Sequence, residues 1–161
     1  MKIKVILALM LALTLGVASA EGVYSFGDAI TIAAPADMTA EEAEGVTTLV
    51  RGATRAVIQL IPQEMSDEPL KQAGRLITAY DERVTDVDLA QTEAGVCLAR
   101  GVIENCFSAG LHQYPLLMLT EHGLLIISVY DLDGGNEAAE AMREEIAAAV
   151  CVEGLAVDLP R

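Results

Sequence analysis

Three cysteines, Cys97, Cys106 and Cys151, carry the most reactive side chains of this sequence. A thiol can pair as a disulfide, ligate a metal, or act as a nucleophile once a base takes its proton. Cys97 and Cys106 stand nine residues apart, so one unbroken strand would point them to opposite faces, a poor disulfide geometry. A bulge at Gly101 would remove that objection. Cys151 follows a helical segment that must lie over the sheet, within reach of either of the others. Cys106–Cys151 is therefore the expected disulfide in an oxidising compartment, closing a loop of about 45 residues and contributing roughly 3–4 kcal/mol. The alternative is that all three are small buried hydrophobes. No CxxC motif exists, which argues against thioredoxin-like chemistry.

The histidines are His112 and His122. Their spacings from the cysteines match neither a zinc signature nor a cysteine-protease one. Cys106 with one of these histidines and an acid remains the arrangement that would make a small exported hydrolase, since such sets are recognised by geometry. Ser108 lacks the first glycine of a nucleophile elbow, and no phosphate-binding glycine loop is present. Asp131, Asp133, Asn136 and Glu137 put oxygens at the close spacing that suits a hard cation such as calcium. They depart from the EF-hand pattern, with Gly135 at position five and Met142 at position twelve. A turn followed by a helix cap accounts for the same residues. No cofactor is expected.

The elements that must position these residues are read from periodicity. Ala29–Ala33 alternates like a short strand and stops before Pro35. Thr39 and Glu42 fit a capping box, so Ala40–Glu44 reads as one helical turn or as an acidic loop. Val46–Val50 and Ala56–Ile61 read as two strands joined by a hairpin at Arg51–Thr54. Ser66 or Asp67 then caps a helix with Pro69 in its first turn and Leu70, Ala73, Ile77, Tyr80 and Val84 on one face. From Asp86 the period changes to two. Asp86–Ala90, Val96–Ile103, Leu111–Leu119 and Leu124–Tyr130 form a meander, with the turn Glu121-His122-Gly123 joining the last two. Leu124–Ile127 is continuously apolar and belongs at the sheet centre. Asn136 caps a closing helix, Glu137–Val150, whose buried stripe is Ala138, Ala141, Met142, Ile146, Ala149 and Val150. The fold class is α+β, a mainly antiparallel sheet packed against two principal helices.

This order resembles the PsbP-like fold. The shared features are a short strand ending in proline (ITIAAP), a helix before a meander, a glycine-containing hairpin (TEHGLLIIS) and a closing helix, covering most of residues 24–150. The fold occurs in subunits of the photosynthetic oxygen-evolving complex and in many small exported bacterial proteins. The resemblance implies an accessory or assembly role without catalysis, and it transfers no functional residue.

Export is written in the N-terminus. Lys2 and Lys4 precede an uncharged run from Val5 to Val17, and Ala18-Ser19-Ala20 supplies the small residues that a signal peptidase reads. The uncharged stretch from Val5 to Ala20 is about 24 Å long as a helix, short of the ~30 Å hydrocarbon core. Residues 1–20 are therefore expected to be a cleavable signal, cut between Ala20 and Glu21, with 21–161 as a single acidic domain; an uncleaved anchor is the alternative. The chain carries 24 acidic against 10 basic residues, a net charge of −14. Loss of Lys2 and Lys4 leaves eight basic residues and a net charge of −16. Such a surface repels phosphate backbones and anionic headgroups, which excludes nucleic acid as a partner. No membrane span remains after processing. The function expected is a non-enzymatic binding or accessory domain outside the cytoplasm, with a protein or small, cationic ligand. The alternatives are the hydrolase above or a calcium-responsive module.

Overall fold

The computed structural model describes residues 22–159. The signal segment, residues 1–20, and its cleavage point at Ala20 and Glu21 lie outside the described residues. In chain order the elements are β1 (Val23–Phe26), β2 (Ile30–Ala33), β3 (Thr39–Ala43), β4 (Val46–Arg51), β5 (Thr54–Ile61), α1 (Pro69–Tyr80), β6 (Thr85–Gln91), β7 (Cys97–Val102), β8 (Gln113–Thr120), β9 (Gly123–Asp131), α2 (Asn136–Ala148), β10 (Val150–Val152) and β11 (Leu155–Ala156). Seven strands form the central sheet in the order β3-β4-β5-β9-β8-β7-β6, and four form a smaller one, β1-β2-β10-β11. All pairings are antiparallel.

β9 holds the middle of the large sheet, as its run of leucine and isoleucine requires, and every residue from Gly123 to Val129 is buried. Alternation then divides the core in two. Leu116, Met118, Leu125 and Ile127 face one way, against Met142 and Ile146 of α2 and Ile30 and Ile32 of the small sheet. Leu117, Leu119, Leu124 and Ile126 face the other way, with Cys97 and Ala99, against Ala73 and Ile77 of α1. Each such leucine or isoleucine contributes about 1.5–3 kcal/mol by leaving water. The strand period of two thus feeds two helix contacts from one sheet.

The architecture is α+β, but with two sheets where one was expected. Of the small sheet only β2 was expected; β1, β10 and β11, two to four residues long, were not. Val150 was expected in the closing helix. Instead Ala149 N–H bonds Ile146 O and ends α2, and β-branched Val150 pairs with Ile32. The segment Thr39–Ala43 is a strand and not a helical turn or loop. Glu44 and Gly45 both have positive φ, 51° and 79°, the primed turn that joins adjacent antiparallel strands. A two-residue hairpin therefore overrides the capping-box signal.

Both helix starts also differ from expectation. Neither Ser66 nor Asp67 caps α1, which begins from Glu68 with Pro69 in its first turn. Gln72 braces the entry instead: its side chain accepts from Ser66 N and donates to Glu64 O, each at 2.7 Å. Gly135, not Asn136, stands at the N-cap of α2. The buried face of α2 is Ala139, Met142, Arg143, Ile146 and Ala147, leaving Ala138 and Ala141 exposed.

Candidate functional site

The acidic loop after β9 is built as a structural joint. Asp131 is 6% exposed, and its carboxylate accepts from Thr54 Oγ1 at 2.7 Å and from the backbone N–H groups of Asp133 and Gly135 at 2.9 Å each. Burial acts to raise its pKa, but the bonds from Thr54, Gly135 and Asp133 outweigh that and hold it below the ordinary aspartate value. Asn136 accepts from His112 N at 3.2 Å and donates to Gly110 O at 3.1 Å, tying the β7–β8 loop to the start of α2. Of the four residues expected to hold calcium, Asp131 and Asn136 thus commit side-chain oxygens to protein donors, while Asp133 and Glu137 are exposed. Among the described residues, no group of three or more His, Cys, Asp or Glu side chains is arranged to hold a metal.

The three cysteines are free thiols, so the expected Cys106–Cys151 bridge is not formed. Its geometric premise fails: the closing helix ends before Cys151, which instead lies on β10 opposite Thr31 and Ala156. Cys106 lies in the β7–β8 loop on the α1 side of the central sheet. Its thiol donates to Gln113 Oε1 at 2.8 Å. Gln113, 3% exposed, donates in turn to Tyr80 Oη at 2.8 Å and to Ser128 Oγ. This network satisfies a glutamine buried beneath the end of α1 and pins α1 to β8 and β9. Burial pushes the Cys106 thiol pKa up; the Arg83 guanidinium opposes this without reversing it. Cys97 is wholly buried, and burial raises its pKa as well.

No Cys–His pair forms among the described residues. His112 and Gln113 are consecutive, so when Gln113 turns toward Cys106 and α1, His112 turns to the opposite face, beside α2. His122 sits at the β8–β9 hairpin tip with Nε2 3.0 Å from Glu153 Oε1. The nucleophile–base contact of the hydrolase reading is therefore not made.

What the structure assembles is a groove of about 660 Å³ between α2 and the strands β6, β7 and β8. Tyr114, His112 and Gly101 belong to its lining. Two arginines are held within it. Arg143 is nine-tenths buried; its guanidinium donates to Gly101 O at 3.2 Å and to Glu144 at 2.9 Å, lies 3.5 Å from Glu140, and covers the Tyr114 ring at 5.7 Å. Arg100 reaches Asp88 at 3.3 Å and Glu144 at 3.6 Å. Neither arginine is among the candidate residues drawn from the sequence. Their signals were there: Arg100 interrupts an otherwise apolar strand, and Arg143 falls between Met142 and Ile146 on the inward face of its helix.

Comparison with solved structures decides the architecture. The solution structure of cyanobacterial PsbP (CyanoP) from Synechocystis sp. PCC 6803 superposes with a TM-score of 0.55, covering 86% of this chain and 98% of that one. The fold is PsbP-like. Sequence identity across the match is 11%, so the PsbP-like likeness is one of architecture. No protein-family model matches the chain, and no curated protein sequence does. Among the described residues of this PsbP-like domain, no helix is long and apolar enough to cross a membrane.

Proposed function

We propose that this protein is an exported accessory domain that binds another molecule and does not transform it. The observation that carries the reading is the PsbP-like architecture, which spans nearly the whole described chain. The chemistry of the reactive side chains supports it. The Cys106 thiol is engaged as a hydrogen-bond donor to Gln113 Oε1, Asp131 accepts from three donors, and His122 faces Glu153 at a hairpin tip.

Export rests on the sequence of residues 1–20, with cleavage between Ala20 and Glu21. The partner is a protein or small ligand of cationic character, because the processed chain is strongly acidic. Intact-mass measurement of the exported fraction tests the first half of this reading. A mass beginning at Glu21 is expected; one retaining residues 1–20 contradicts cleavage. Native sizing of the same fraction tests whether that partner is a protein, with the chain then expected in a complex with a second polypeptide.

A further inference from the structure

Charge in the groove between α2 and β6–β8 is only partly compensated. Arg100 and Arg143 are locked onto Asp88, Glu140 and Glu144. Asp86 and Glu104 line the same groove and make no ion pair among the described residues. Five carboxylates thus face two guanidinium groups, and neither arginine can swing to the unpaired pair without breaking its own contacts. A cleft lined by one excess sign concentrates its potential, more so than a convex surface of the same charge. Val102, Ala141 and Tyr114 add apolar wall along the same groove, the surface on which the methylene stem of a lysine or arginine lies while its head stays wet.

The groove also borders a free sheet edge. β6 is the outermost strand of the central sheet, so one row of its backbone N–H and C=O groups points away from β7. A polypeptide backbone can pair with both kinds of group, whereas an ammonium group offers donors only and leaves the edge N–H groups unmet. From these juxtapositions we infer that the groove is a docking site for an extended, lysine- or arginine-bearing segment of a partner protein. The inference deepens the accessory-binding reading and rests on it.

Titration of the ¹⁵N-labelled protein, purified as the cell processes it, with tetralysine at low salt tests the assignment. Saturable shifts should concentrate at residues 86–104 and 140–144. The double variant D86N/E104Q, which touches no ion pair, should weaken binding about fivefold, while E41Q/E42Q on β3 at the opposite sheet edge should leave it unchanged. The amide spectra themselves report that both variants fold. Shifts spread over the whole acidic surface, equal loss in both variants, or no saturable binding up to about 1 mM each overturn the proposal. Spermine that matches tetralysine in site and affinity overturns the choice of a polypeptide. A native complex that survives D86N/E104Q removes the groove and leaves the accessory reading standing; the absence of any complex removes the protein partner on which both the groove and that reading's protein form rest.

Discussion

Asp131 shows what one side chain does in this domain. Three donors converge on its buried carboxylate, joining the start of β5, the end of β9 and the entry to α2. Because the folded-state pKa is depressed, the folded chain keeps the carboxylate ionised to lower pH than the unfolded chain does. The stabilisation is therefore complete above the unfolded aspartate value of about 4 and is lost as pH falls through the folded value. Asp131→Ala leaves the Thr54 hydroxyl and two backbone N–H groups unpaired and is expected to cost about 2–3 kcal/mol at neutral pH. Urea titrations from pH 7 down to about 2 should show the variant losing less stability over the acid limb than the parent does. Identical curves would mean the carboxylate is not the joint described. In the sequence Asp131 reads as a turn residue or a calcium candidate, and the joint itself is not legible, since a partner 77 residues away leaves no local trace.

At the scale of elements, the long ones were legible and the short ones were not. β5, α1, β8, β9 and α2 each span enough residues to show a period, and each was found with its ends displaced by a few residues. β1, β10 and β11 are too short for alternation to register, so the small sheet was missed. The groove was illegible for a related reason: Asp86, Arg100, Tyr114 and Glu144 come from four elements and meet only through tertiary pairing. On α2 Met142 and Ile146 are buried as expected, but Ala139 and Ala147 take the inward places expected of Ala138 and Ala141, because alanines on both sides of the stripe are equally apolar. Gly101 is an element-scale constraint of another kind. A Cβ there would collide with Val84 Cγ2 and stand 3.2 Å from Thr85 O, so any side chain at this position of β7 forces residues 84–85 to shift. Gly101→Ala is expected to lower stability by about 1–3 kcal/mol through overpacking at the β6 edge. Chemical denaturation reads this directly, and a variant as stable as the parent would show that β6 yields at no cost.

The whole molecule is governed by its charge. A net charge of −14, or −16 once residues 1–20 are removed, makes self-repulsion a global term that counterions relieve. Raising salt from about 0.05 to 0.5 M should therefore raise the Tm by about 2–4 °C. An unchanged or lower Tm would show that ion pairs such as Arg51–Asp37 and Arg51–Glu145, which salt weakens, outweigh the repulsion. The proposed role, action by association, rests on the PsbP-like architecture, the engaged reactive groups and the acidic surface. Its native mass in the exported fraction, measured at low and at high salt, tests this most directly. The account predicts a complex with one additional polypeptide in fixed proportion at low salt, released as salt is raised. Migration as a single chain at every salt concentration would contradict it.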